Sequence, residues 1–387
     1  MIEIFEKDYC TVKKLYIQNN IKKFDTEGIH VSGGRGIHVS GGEGIKILSC
    51  KIKNIGYEEW TPSYEGAISS ENANPLLVVG VAGENAVTDL TIDGNEIYNC
   101  LTGYSEALTV AGDVAGFTIR NNIVHDNSNI GIVTAGHYGW TTKDWNENSV
   151  YNNLSDDIRS KNIARNGTVS GNLVYNCVTR STNENGEVIS SAGIYIDGGK
   201  DITLERNVSR NNGVGFSIGC EECKMNDPDN DVTGIIMRNN LSYNNNGAGL
   251  VFGSNKSGNN GPYAPISNCK ALNNTFYKNL RTQPSGAEIT LQHNSTENLI
   301  KQNIIYVDYA GAKCYQAIGN WGFSSEASFD NNLYSDIPSN NGCPRFSEHL
   351  TIEINAKIGD IVLDSGLRPL IDSPVFDSNV SPDEDLV

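Results

Sequence analysis

The chain is short of positive charge, of long apolar runs and of an apolar leader, and each shortage removes a class of function. Lys and Arg number 29 against 46 Asp and Glu, a formal net charge of −17 over 387 residues. No basic patch offsets phosphate repulsion on such a surface, so nucleic acid is excluded as a partner. The same balance disfavours a polyanionic polysaccharide unless a bound cation reverses the local field. No stretch approaches the ~20 apolar residues of a membrane span, so no membrane partner is expected. Ile2-Glu3-Ile4-Phe5-Glu6-Lys7-Asp8 is charged where a signal peptide is apolar. The location stays open: secreted or periplasmic if a leader has been removed, cytoplasmic otherwise. Oligomeric state is equally open.

Charged residues are only 19% and hydrophobic residues 38%. That argues against a coiled coil and leaves enough apolar surface for a narrow core running along a solenoid axis. Pairing of thiols is also incomplete, because nine cysteines is an odd number. Cys50, Cys100, Cys177 and Cys269 fall at or near strand ends and read as buried free thiols. Cys220-Glu221-Glu222-Cys223 is a lone CxxC without a matching second pair, so neither a zinc nor a redox role is expected there.

Glycine (40 residues) and asparagine are plentiful, and both punctuate a repeat. Its type rung is Ala192 to Asn207: a strand with Ile194 and Ile196 inward and Tyr195 and Asp197 outward, a Gly-Gly turn, then Ile202 and Leu204 inward and Asn207 at a bend. Asn95, Asn122, Asn172, Asn207, Asn240, Asn274, Asn303 and Asn332 recur after short apolar strands at intervals of 27, 50, 35, 33, 34, 29 and 29 residues. Cys50 holds the same slot one rung earlier. A rung of about 22–30 residues with variable loops predicts a parallel β-helix. Asparagine at the bend suits left-handed torsions, and its amide can bond the same side chain on adjacent rungs.

The expected layout is an irregular N-terminal cap over 1–27, a helix over 28–335, and a capping tail over 336–387. Two octapeptides, Gly28–Arg35 and Gly36–Glu43, carry His30 and His38 at solvent-facing strand positions. Insertions at 56–76 (Tyr57, Glu58, Glu59, Trp60, Tyr64, Glu65) and 138–163 (Tyr138, Trp140, Lys143, Trp145, Tyr151, Arg159, Lys161) wall a groove or anchor their own loops. Aromatic rings on a groove wall suit the apolar faces of sugars.

Aligned strands predict outward columns. One reads Ala111, Ala135, Asp197, Gly219, Gly253, Gln292, so small neighbours open a hollow around the Asp197 carboxylate. The next reads Asp113, His137, Gly199, Glu221, Asn255, Asn294; a third, Thr109, Val133, Tyr195, Ser217, Val251, Thr290, is groove floor. Asp197 and Glu221, one rung apart, should be on the order of 5–8 Å from each other, with Glu222 able to replace Glu221 if the turn is displaced. Crowding raises one carboxyl's pKa and sets an acid beside a base or nucleophile; an Asp-Gly-Gly turn that only bonds backbone amides is the plainer alternative. Glu106 projects to the groove edge. Asp227-Pro228-Asp229-Asn230-Asp231 has the spaced oxygens of a calcium loop but lacks the remaining ligands, so no cofactor is assigned and calcium is the one cation considered.

The repeat, the asparagine column, Gly193-Ile194-Tyr195-Ile196-Asp197-Gly198-Gly199 and the ending Leu370-Ile371-Asp372-Ser373-Pro374-Val375-Phe376-Asp377 together resemble the bacterial right-handed parallel β-helix proteins that process polysaccharides. That resemblance covers most of 28–380 and implies an all-β, single-stranded right-handed solenoid with an oligo- or polysaccharide partner. Likeness to the β-helix xylosidases would make Asp197 the nucleophile and Glu221 the acid/base of a glycoside hydrolase, with His137, Tyr138, Trp140, Arg165, Tyr195, Glu222 and Glu106 contacting substrate. Likeness to the pectate-lyase group would instead make Lys161 or Arg165 the base of a β-eliminating lyase. The alginate epimerase signature is absent, and a binding solenoid without turnover is the third reading.

Overall fold

Short strands of alternating inward aliphatic and outward polar residues, broken by asparagine and glycine, wind into a right-handed parallel β-helix. The computed structural model describes residues 1–22, 34–57, 72–143, 155–179, 191–223, 231–253, 265–282, 285–307, 314–320, 326–335, 346, 356–359, 361 and 363–367. Each turn visits three sheets in order, as in Ala192–Asp197, Lys200–Glu205 and Val208–Arg210, before Val214–Gly219 rejoins the first. Among the described residues the first sheet has ten strands and the other two eleven, paired in parallel from turn to turn. In later turns a short three-stranded sheet, Val232–Thr233, Ile266–Ser267 and Ser295–Thr296, precedes the second. No helix among the described residues is long and apolar enough to cross a membrane.

The core is one continuous file. Leu108, Ile132, Ile194, Phe216, Leu250 and Ile289 stack in register and are fully buried, as are Val110, Thr134, Ile196, Ile218, Phe252 and Leu291 beside them. Burial of each large side chain contributes about 2 kcal/mol.

Asparagine fixes the register of that file. Asn207 donates its backbone N–H and one Nδ2 hydrogen to Asn240 Oδ1 at 2.9 and 3.0 Å, and accepts the same pair from Asn172. Its other Nδ2 hydrogen goes to the Val169 carbonyl at 2.8 Å, so the buried amide is satisfied throughout. The expected left-handed torsion does not fall on these residues. It falls on the residue before each: Asn121, Arg206, Asn239, Asn273 and Asn331 have φ of 53°, 54°, 57°, 52° and 53°. One residue makes the bend and the next aims its amide along the stack.

A second ladder, unforeseen in the sequence, runs between the third and first sheets. Asn212 bonds Asn245, Asn245 bonds Asn279, and Asn279 donates its N–H and Nδ2 to the Glu288 carboxylate at 2.8 and 2.7 Å. Cys50, Cys100, Cys177 and Cys269 take ladder slots and donate their N–H groups to Asn95, Asn127, Asn212 and Asn298. They are buried unpaired thiols, and burial pushes those of Cys100, Cys177 and Cys269 up to about 12.

The N-terminus differs from expectation. Ile2–Phe5, Thr11–Lys13 and Tyr16–Lys22 form a regular first turn in register with the next, where 1–27 was expected to be an irregular cap. Its inward signal rests on Ile4 and Val12, with Ile2, Cys10 and Ile17 packed beside them, and the surrounding polar side chains dilute it. Asn74–Gly80 is a strand of the first sheet, so the insertion expected over 56–76 ends earlier. In the tail, Lys357–Gly359 pairs with Leu333–Ser335, and Phe346 packs edge-on against Tyr334 at 5.0 Å. His30, Glu58, Glu59, Trp60, Tyr64, Glu65, Trp145, Tyr151, residues 227–230 and residues 368–387 lie outside the described residues.

Asn207→Ala leaves buried donors on Asn172 without their acceptor and takes one donor from the Val169 carbonyl. The expected cost is about 2–4 kcal/mol in urea unfolding; a loss below about 0.5 kcal/mol would contradict the ladder's role.

Candidate active site

The outward face of the first sheet floors a groove. Ala111, Val133 and Ala135 pack there with Tyr138 and Tyr195. Strand register puts Ala111, Ala135, Asp197 and Gly219 in one column, as the repeat predicts. Asp197 is its acid, 3% exposed. Its Oδ1 accepts the Glu221 N–H at 2.8 Å and its Oδ2 accepts the Tyr138 hydroxyl at 2.6 Å. The same phenol lies 3.5 Å from Glu221 Oε2. The nearest oxygens of the two carboxylates are therefore within about 6 Å of each other.

Tyr138 is aimed by a buried asparagine. The chain leaves the sheet through a bend at His137 (φ 68°). His137 N–H bonds the Asn162 carbonyl at 2.7 Å, and Asn162 Nδ2 returns to the Tyr138 carbonyl at 2.8 Å. Thr141 Oγ1 donates to Asn162 Oδ1 at 2.6 Å. Asn162 is fully enclosed, and no periodicity in the sequence marks it.

Glu106 supplies a third carboxyl from the segment just before strand Leu108–Gly112, and its Oε2 accepts the Thr109 hydroxyl at 2.9 Å. Two cavities meet at Tyr104, Glu106 and Glu221. The larger, about 520 Å³, is walled by Tyr138 and Trp140 and reaches Asp197. The smaller, about 270 Å³, is lined by Tyr195 and by Asn129, Ser191, Ser217 and Gln292. Among the described residues no lysine or arginine lines either one.

Three carboxyls with no cationic side chain among the described lining residues do not ionise freely. Burial, then the Glu221 charge, hold Asp197 well above the usual carboxylate range, against the pull of the Tyr138 hydroxyl and the Glu221 N–H. Burial and then the Glu222 charge raise Glu221, with Tyr138 opposing; the residue sits at the exposed rim, so solvent screens it more than Asp197. Burial pushes Glu106 up to about 7, the Thr109 hydroxyl opposing and the Glu221 charge adding. Burial, then Asp197 and Glu221, raise both Tyr138 and Tyr195 well above an ordinary phenol. Such a cluster keeps at least one proton near neutrality.

Asp197, Glu221, Glu106, Tyr138, Trp140 and Tyr195 are thus brought together, and four expected residues are not. His137 is 3% exposed, packs beside Gly198 and lines neither cavity. Its left-handed bend breaks the strand's alternation and turns the ring inward, where burial and Lys200 lower its pKa to about 4. Arg165 is held on the second sheet by Asp113 at 2.8 Å and by the Lys161 and Ile163 carbonyls. Glu222 acts on Glu221 through its charge but lines neither cavity. Lys161 pairs with Asp157 at 2.9 Å within the short helix Asp156–Lys161, away from the groove lining. Cys220 and Cys223 form a disulfide that brackets Glu221 and Glu222. Among the described residues, no group of three or more His, Cys, Asp or Glu side chains is disposed to hold a metal ion.

No protein-family model matches the sequence. An uncharacterized Bacillus subtilis protein, YwoF, is 29% identical over 214 residues, 55% of this chain but only 40% of that protein's length. A mutant tailspike protein of E. coli bacteriophage HK620, solved with a pentasaccharide, superposes with a TM-score of 0.51 at 11% identity, covering 85% of this chain and 50% of the tailspike. The A-module of the Azotobacter vinelandii mannuronan C-5 epimerase AlgE4 gives a TM-score of 0.47 at 13% identity, covering 90% of this chain and 91% of the module. At such identities the likeness is one of fold, and the fold is the parallel β-helix that the sequence resemblance implied.

Glu106 makes stability depend on pH with a defined sign. Its folded value, about 7, lies above its ordinary 4.5, so the folded chain binds the proton more tightly. The stabilisation is fully present below the ordinary value and is lost as pH rises through about 7. Urea unfolding of wild type should therefore weaken relative to Glu106→Gln across that window; parallel curves would contradict the assignment.

Proposed function

We propose that the chain is a glycoside hydrolase acting on an uncharged oligo- or polysaccharide laid across the first sheet. The observation that carries the reading is the pair Asp197 and Glu221, flanking one phenol in a groove whose described lining residues include neither lysine nor arginine. Their spacing suits a direct nucleophile and acid/base pair. Asp197, fixed by two donors, is the nucleophile in the state in which the proton the coupled pair shares sits on Glu221. Glu221, at the rim, protonates the departing glycosidic oxygen and then deprotonates water. Protonated Glu106 donates a hydrogen bond to a sugar hydroxyl, and Trp140, 41% exposed, offers its face to a pyranose ring.

Cleavage of a uronate by β-elimination needs a base and a cation to neutralise the substrate carboxylate. The described groove lining offers no cationic side chain, and the phenols are poor bases with their pKa values raised. Likeness in fold to a tailspike that holds a pentasaccharide agrees with a saccharide ligand.

A screen of neutral and acidic glycans tests this, with reducing-end release and the ultraviolet absorbance of unsaturated uronates followed together. The expected result is reducing sugar without absorbance, diminished about a hundredfold or more by Asp197→Asn and by Glu221→Gln. Absorbance that survives Asp197→Asn would overturn the reading in favour of a lyase.

A further inference from the structure

The backbone that carries Glu221 lies beyond the regular fold. Strand Val214–Gly219 ends two residues before it, and the next strand among the described residues is Val232–Thr233. Asparagine ladders and sheet pairing position Asp197, but they stop short of residue 221. Two other constraints act there. One is the Glu221 N–H donated to Asp197 Oδ1 at 2.8 Å. The other is the disulfide between Cys220 and Cys223, whose Cα atoms are 5.6 Å apart, within the span such a bond requires.

The disulfide is set against the site from below. A Cβ added at Gly198, the residue after Asp197, would meet Cys220 Sγ at 3.0 Å, so that sulfur rests on the Asp197 turn. Cys223 N–H lies 2.9 Å from the same sulfur, closing the four-residue loop. Both half-cystines are buried, at 2% and 0% exposure. Cys10, Cys50, Cys100, Cys177 and Cys269 are unpaired, and the last four are enclosed in ladder slots. The pairing at 220 and 223 stands against the acid site.

We infer that the Cys220–Cys223 disulfide is a positioning element that holds Glu221 over Asp197, so that the acid pair is assembled only in the oxidised chain. A dithiol reductant undoes it in a balanced exchange: the protein S–S bond breaks, two protein thiols form, and the reagent closes to a cyclic disulfide. With a loop of four residues the bond adds little to global stability, since it constrains little of the unfolded chain. Its consequence is local geometry. This rests on reading Asp197 and Glu221 as one acid pair, and the chain is then at work where thiols are kept oxidised.

Carbon-13 carboxyl titration of Asp197 tests the inference without any substrate. In the oxidised chain, Glu221→Gln removes a like charge and should lower the Asp197 midpoint by about one pH unit or more. In a Cys220→Ser/Cys223→Ser background the same substitution should shift it by less than half as much, with the amide spectrum of the solenoid unchanged. Wild type reduced by dithiothreitol, compared with Glu221→Gln treated alike, gives the same comparison should the double serine variant fail to fold. Equal shifts with and without the disulfide would overturn the inference. Failure of the glycan screen would sink the hydrolase reading and leave this coupling as measured.

Discussion

The structure depends on buried amides bonded from turn to turn. A parallel β-helix has no hairpins to set its register, and a slip of one residue would turn each inward aliphatic side chain outward. Asn95 through Asn332 remove that freedom, because each amide finds its partner only when adjacent turns are aligned. The alternative is a buried polar group without a partner, which costs more than the bond itself contributes. Alignment then carries round each turn to the first sheet, where it fixes which outward residues become neighbours. Asp197 lies between Ala135 and Gly219 for this reason, and its hollow is a consequence of register.

Aromatic residues show how differently two faces of one solenoid use the same columns. On the third sheet, Tyr98, His125, Tyr175 and Arg210 fall in one register, the rings stacked at 5.1 and 4.8 Å and the guanidinium 4.3 Å above Tyr175. Tyr277 and Tyr306 continue the arrangement at 4.8 Å. These rings spend their faces on one another. On the first sheet the tyrosines are spaced by alanine, valine and glycine, and their hydroxyls turn to carboxylates. A count of aromatic residues marks the wrong face; the neighbours of each ring distinguish the two.

Much of this was legible in the sequence, and the losses have physical causes. Inward alternation and the asparagine interval gave the fold, and the strand columns placed Asp197, Tyr195 and the small residues around them. Extrapolation failed where alternation itself ended: His137, two residues beyond Ala135, makes the left-handed bend and turns inward. Arg165 and Lys161 looked free because their partners, Asp113 and Asp157, are distant in sequence or belong to a helix that no repeat announces. The second ladder was hidden by its own surroundings, since Asn211 and Asn244 stand beside Asn212 and Asn245 and only backbone torsion tells them apart. Glu106 registered as an edge residue because its proximity to Glu221 is set across turns, not along the chain.

The claim that holds the account together is that the acid hollow on the first sheet, and no other face, is where a saccharide binds and is cut. A crystal structure of Asp197→Asn with a neutral oligosaccharide tests it most directly. The account expects sugars in both cavities, a ring against Trp140, and a glycosidic oxygen within hydrogen-bond reach of Glu221. A chain seated on the tyrosines of the third sheet, with the first-sheet groove empty, would contradict it.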